Sequence, residues 1–351
     1  MSISIKTRKI LWGKSGNRCA MPNCRKELVV NVSEIDNHSI VGEECHIIAQ
    51  SPDGPRGDKN YDMSKVDDYD NLVLMCGNHH KIIDDESNLD IYTVKELQKI
   101  KKEHEIWVLS KLTVEDKKKL EDDFFYSEYI DNWVKYIYLS HWREWTYYLL
   151  NSDIPSLHSE VNDSLEQLTE YNFTRLWPQR YLELENSFFN FNLVLKDFMA
   201  LFHRHSMYLR PFYTTEKFHK KEWHKDQKVF YKFYEEYEFH VLLVQDLVLE
   251  LTRSVNQICD LIRYYIDPMF RIKEGKVIVQ TGDFLDENME IRSQILYPTY
   301  SLNQSYCDLE SFKEDRICRG HYFGIGINSK DKRHLKKIHK HNYEYLYNEY
   351  I

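Results

Sequence analysis

Apolar residues recur at three- and four-residue spacing through "FYKFYEEYEFHVLLVQDLVLELTRSVNQICDLIRYYID", the piece that ends before Pro268. That period is one face of a helix, so the stretch predicts one long amphipathic helix, or two with a kink. The wider surroundings carry no glycine. Six of the eleven glycines lie at or before Gly77 and five return from Gly275 onward. A run of that length suits helices and short connections better than a turn-rich β domain, and Pro155, Pro178, Pro211 and Pro268 cut it into helix-length pieces. The N-terminal part reads differently. "GEECHIIAQ" and "YDNLVLMC" are short strand-like runs, and "YTVKELQKIKKEHE" trails them as a helix. After Gly275, "KVIVQTGDF" and "GHYFGIGI" again read as strands, followed by a Lys- and His-rich tail. The expected layout is a loop-rich α+β unit over residues 1–110, then a mainly helical module over 111–351 with strands from about residue 275.

Composition is that of an ordinary globular chain, with 42% hydrophobic and 29% charged residues. The net charge of −9 argues against a protein coated in basic surface, without excluding a local basic face. One such asymmetry exists. The first 26 residues carry Lys6, Arg8, Lys9, Lys14, Arg18, Arg25 and Lys26 and no acid. No segment has the length and apolarity of a membrane span, and no signal-peptide core is present, so a cytoplasmic protein is expected. Seven unevenly spaced cysteines do not make a disulfide framework, and metal ligation is the better use of the early ones.

Cys19 and Cys24 flank the turn "RCAMPNC", and Cys76 and His79 sit in "CGNH". Two such two-ligand turns can close a tetrahedral zinc site of three thiolates and one imidazole. Unrelated buried thiols are the alternative. In a small unit with few core residues, the metal would add folding free energy. That use of His79 leaves its neighbour His80 free for a second task. Upstream, His46 lies in a strand-like run, and Asn71 stands just before the apolar "LVLMC".

The ordered set His46, Asn71 and His80, with the zinc turns, "HIIAQSPDGPRGD", "NLVLMCGNHHKIIDD" and the trailing helix, resembles the HNH endonuclease family over about residues 8–107. The resemblance implies a ββα-metal motif, a hairpin and helix clamped around one catalytic cation. It makes His46 the general base, Asn71 the residue that holds the loop so that the base is aimed, and His80 a ligand of the catalytic ion, Mg²⁺ or Mn²⁺ with Ni²⁺ possible. The chemistry is consistent, since phosphodiester hydrolysis needs an activated water, and imidazole titrates near neutrality. One departure stands out. Many family members have an acidic metal ligand just before the base, where this chain has Cys45. Either Cys45 is a buried filler, or it lies on the catalytic-metal side and moves the preference toward softer ions. Arg56 in "GPRGD" is a candidate phosphate contact, with an ion pair to Asp53, Asp58 or Asp84 as the alternative. Lys14, Arg18, Arg25 and Lys26 are candidates for the nucleic-acid backbone, which would give weak sequence specificity.

Beyond residue 110 no second catalytic signature is present. Cys307, Cys318 and His321 are too widely spaced for a clear metal site. His203, His205, His219, His224, His339 and His341 read as mostly solvated helix-surface residues. The expectation is therefore an α+β protein: a zinc-stabilised DNA endonuclease domain joined to a sensor, partner-binding or oligomerisation module, acting as a homo-oligomer. Such two-part layouts are similar to bacterial antiphage effectors, with an activating ligand or partner at the second module. Two other readings compete. One is an inactive zinc-stabilised nucleic-acid-binding or adaptor protein, which Cys45 favours. The other is a modification-dependent restriction endonuclease, which the acidity of residues 111–351 (−6 of the −9) disfavours.

Overall fold

The computed structural model describes residues 3–33, 36–220, 227–285, 291–301, 304–315, 321–322 and 325–326. Two compact units make up the chain, residues 1–132 and 133–351. The class is α+β, with small antiparallel sheets among longer helices.

In the first unit, α1 (Ile5–Lys14) starts at Ser4, whose Oγ accepts the Thr7 amide at 3.0 Å. The Asp131 carboxylate accepts the next amides, those of Ile5 and Lys6, at 3.0 and 2.8 Å. An acceptor at that end satisfies orphan donors and suits the helix dipole. A hairpin of β1 (Val29–Ser33) and β2 (Asp36–Ile40) follows. Then β3 (Gly42–His46) pairs antiparallel with β4 (Leu72–Cys76), with His46 opposite Leu72 and Gly42 opposite Cys76. Every residue of β4 is buried, as its unbroken apolar run requires. α2 (Gly77–Asp84) continues from β4 without a loop, so two strands and a helix form one ββα unit. α3 (Val94–Leu109), capped by Thr93, and α4 (Val114–Tyr136) complete the helices. Leu11, Leu28, Cys45, Ile47, β4, Ile83, Leu97 and Ile100 share one core.

The second unit contains α5 (Trp142–Leu150), β5 (Ser156–His158), α6 (Ser159–Phe173), α7 (Leu182–Arg204), β6 (Ser206–Leu209), β7 (Phe212–Thr215), α8 (Gln227–Tyr265), β8 (Val279–Leu285), β9 (Ile291–Leu296), α9 (Leu309–Asp315), β10 (His321–Tyr322) and β11 (Ile325–Gly326). The long periodic stretch is a single helix, α8, which packs along α7. Its buried stripe of Tyr237, Val241, Val244, Val248, Leu251, Val255, Ile258 and Ile262 keeps the three–four spacing seen in sequence. Full burial of each aliphatic side chain stabilises by about 1.5–3 kcal/mol. Asn256, wholly buried, accepts from the Val277 amide at 2.8 Å and donates to the carbonyls of Val277 and Pro298, pinning the chain after α8.

The glycine-free run is not helical throughout. A three-stranded antiparallel sheet, β5–β7–β6, lies inside it. Arg210 and Pro211 make its tight turn, so no glycine marks it. Two histidines read as solvated also differ. His203 bonds Asn162 Oδ1 at 2.7 Å and Ser206 Oγ at 3.0 Å, and His219 is buried. Cys307 is exposed, whereas Cys318, His224, His339 and His341 lie outside the described residues. Among the described residues, no helix is long and apolar enough to cross a membrane.

Candidate active site

Cys19, Cys24, Cys76 and His79 come together with their ligand atoms all within 4.8 Å of one another. The Cys19 amide donates to Lys26 O and the Cys24 amide to Met21 O, both at 2.9 Å, which curls the first turn. Ala20 donates to Leu74 O at 2.9 Å and fixes that turn on β4. Cys76 ends β4 and His79 stands in the first turn of α2, so strand and helix present the other two ligands. His79 Nδ1 is 3.5 Å from Cys19 Sγ and 3.2 Å from Cys76 Sγ. Tetrahedral zinc with ordinary Zn–S and Zn–N bonds places such atoms about 3.5 Å apart. The donor set fits zinc chemically as well. Burial pushes the Cys19 thiol up to about 12, and neighbouring Cys76 and Cys24 add to that. Burial also opposes ionisation of Cys76, but amide hydrogen bonds from His79 and Asn78 and contacts with Cys19 and Cys24 prevail, and its pKa falls. Crowded thiols of this kind are stabilised as thiolates by a dication.

His46 ends β3 with its Nε2 3.0 Å from Asp67 Oδ1, and Gln50 donates to the same carboxylate oxygen at 3.2 Å. The carboxylate makes Nε2 the protonated nitrogen and leaves Nδ1 with its lone pair. Asn71 clamps the start of the loop between the strands. Its Oδ1 accepts the Ile48 amide at 2.9 Å, and its Nδ2 donates to Ile48 O at 3.0 Å and Val66 O at 2.9 Å. Both ends of the loop that carries Asp67 are thus tied to one buried amide beside the base.

His80 projects from α2 between two carboxylates. Nδ1 contacts Glu43 Oε2 from β3, and Nε2 lies 3.2 Å from Asp84 Oδ2, one helical turn on. Gly77 allows this. A Cβ there would stand 2.8 Å from Glu43 Oε1, so the carboxylate would have to shift away from this position. Imidazole and carboxylate are donors suited to Mg²⁺ or Mn²⁺, but Glu43 and Asp84 occupy opposite nitrogens of the ring, and the three residues do not bring one ligand atom each within 4.8 Å of the others. Cys45 is not among these donors. It is 1% exposed within the core, burial raises its pKa, and its Sγ–H points at Glu43 O. The buried-filler alternative therefore describes Cys45, and the acids beside His80 are Glu43 and Asp84.

Of the two readings of Arg56, the structure shows the ion pair with Asp84. The Arg56 side chain is 4% exposed and offers nothing to a phosphate. The guanidinium donates to Ile47 O at 2.8 Å, to Ile83 O, to Asp84 Oδ1 at 2.5 Å and, at 3.4 Å, to His46 O. Arg56 thus joins the end of β3 to the end of α2, with left-handed backbone (φ +55°). Gly57 follows because a Cβ there would meet Pro52 O at 2.3 Å.

The basic N-terminal run is largely neutralised by acids from elsewhere: Lys6 by Glu128, Arg8 by Glu44, Lys9 by Asp123 and Arg18 by Glu27. Arg25 lies over the Trp107 ring at 4.7 Å, and Lys14 over Tyr69 at 4.6 Å. Lys14 and Lys26 remain exposed. Sequence reasoning assigned no role to Glu43, Asp67, Asp84 or Gln50. Strand alternation (Glu43 two before Cys45) and helical spacing (Asp84 four after His80) were the available signals.

Residues 28–87 match the family model described as HNH endonuclease. The matched segment contains Glu43, His46, Arg56, Asp67, Asn71, His80 and Asp84, and two of the four clustered metal ligands. No curated protein matches the chain.

Proposed function

We propose that the chain is a metal-dependent endonuclease that hydrolyses DNA phosphodiester bonds with low sequence specificity, residues 1–110 forming its catalytic domain. The observation that carries this reading is the pairing of two differently equipped histidines: His46 oriented by Asp67, and His80 flanked by Glu43 and Asp84. His46 Nδ1 takes the proton of the attacking water, and Asp67 stabilises the imidazolium that results. Asn71 and Arg56 hold the backbone just after His46, at Ile47 and Ile48, which fixes the ring's direction of approach. A divalent ion held by one nitrogen of His80 and the carboxylate beside it, Glu43 or Asp84, would supply charge neutralisation at the scissile phosphate. Zinc at Cys19, Cys24, Cys76 and His79 is structural. Since Cys45 is core filler and His80 has carboxylates beside it, the feature that favoured an inactive adaptor loses its force.

Residues 111–351 regulate this activity in our reading, as a sensor or partner module of a bacterial antiphage effector working as a homo-oligomer. What supports this is the layout: among the described residues, the only metal-type cluster is in the first unit. The test is nicking of supercoiled plasmid, and cleavage of labelled RNA of matched length, with Mg²⁺, Mn²⁺ or Ni²⁺. DNA nicking that His46→Ala reduces by about 10²–10⁴-fold is expected. Cleavage of RNA alone, or none by zinc-loaded folded protein, overturns the reading.

A further inference from the structure

Gln50 lies four residues beyond His46, on the loop that leaves β3. Its Nε2 donates to Asp67 Oδ1 at 3.2 Å, the same oxygen that accepts His46 Nε2 at 3.0 Å. Gln50 Nε2 also stands 3.5 Å from His46 Nε2, but both nitrogens are donors once the imidazole proton is committed to Asp67. The two side chains therefore do not bond each other. They converge on one carboxylate oxygen, so any effect of Gln50 on the base passes through Asp67.

Among the described residues, the Asp67 carboxylate meets two side chains, His46 and Gln50. The Asp67 side chain is 16% exposed, so water reaches it. A carboxylate held by a single donor can turn about its side-chain torsions, exchange its oxygens and take up water instead. A second donor on the same oxygen removes that freedom. The loop holds both partners in place. Asn71 bonds the amide and the carbonyl of Ile48, two residues before Gln50, and the carbonyl of Val66, one residue before Asp67. One buried amide thus sets the approach of the two chain segments that carry Gln50 and Asp67. The residue type fits the task as well. A lysine at this place would neutralise Asp67 and cancel its support of the imidazolium, and a glutamate would repel it. A neutral amide orients the carboxylate and leaves its charge intact.

We propose that Gln50 is a positioning residue for hydrolysis: its amide holds Asp67 Oδ1 against His46 Nε2, and so keeps Nδ1 the nitrogen that takes the proton from water. The inference rests on the nuclease reading. Its test is steady-state cleavage of a labelled DNA duplex in Mn²⁺ by the full chain, by Gln50→Leu, by Asp67→Asn and by the double variant. Gln50 is exposed, so Gln50→Leu should keep the parental melting temperature. It is expected to lower kcat by about tenfold and to leave KM within about twofold, the pattern of a lost orienting contact. The double variant should cleave within about twofold of Asp67→Asn alone, because residues that act as one unit are not additive. A loss that falls on KM instead would make Gln50 a substrate contact and overturn the proposal. Losses that multiply in the double variant would also overturn it, since Gln50 would then act without Asp67. A Gln50→Leu chain that cleaves at the parental rate removes this inference alone. A folded, zinc-loaded parent that cleaves no DNA removes the nuclease reading and this inference together.

Discussion

Asp67, Arg56 and Glu43 each act on a histidine they do not resemble. Asp67→Asn keeps the shape beside His46 but lets Nδ1 carry the proton, so DNA cleavage should fall by about 10–100-fold with unchanged melting temperature. A pH–rate profile checks this, because the variant's plateau should drop rather than merely shift. Arg56→Ala removes the donor from two buried carbonyls and from Asp84, so unfolding free energy should fall by about 2–4 kcal/mol, read by urea denaturation with zinc present. His46, Asn71, His80 and the four clustered metal ligands were legible because their types and spacing are chemically unusual. Arg56 was legible only as a choice between phosphate and carboxylate. The choice was settled by its burial, which depends on how the loop closes around Gly57.

Among the elements, the long helix α8 was readable from periodicity alone, whereas the ββα unit was expected from the family resemblance. The sheet β5–β7–β6 was not, because strands of three or four residues give too short a period and its turn uses Arg210 and Pro211 instead of glycine. The junction of β4 and α2 concentrates the most consequence. Gly77→Ala should displace the Glu43 carboxylate, lowering metal-dependent cleavage by about tenfold while stability changes by less than 1 kcal/mol; titrating Mn²⁺ against activity would show a raised metal requirement. On α3, Lys101 is buried beside Tyr69, and burial lowers its pKa to about 8. The folded state then binds fewer protons than the unfolded one between about pH 8 and 10.5, so this lysine's contribution to stability rises with pH across that window. Urea midpoints of the parent and Lys101→Met should converge at the alkaline end.

At the scale of the molecule, the chain forms two compact units, and the proposed chemistry lies in the first. A fragment of residues 1–132, the first compact unit, is expected to nick plasmid faster than the full chain if the second unit restrains the first. Equal rates would remove autoinhibition while leaving the nuclease intact. Charge pattern changes on folding at this scale. In the acid-free N-terminal stretch, Lys6, Arg8, Lys9 and Arg18 meet Glu128, Glu44, Asp123 and Glu27 once the chain folds, while Lys14 and Lys26 stay exposed. The measurement that bears most directly on His46 as the base is chemical rescue: plasmid nicking by His46→Ala in Mn²⁺ with and without added imidazole. Activity that is lost in the variant and returns in proportion to neutral imidazole is the predicted result. A His46→Ala protein that nicks at the parental rate, with imidazole making no difference, would contradict it.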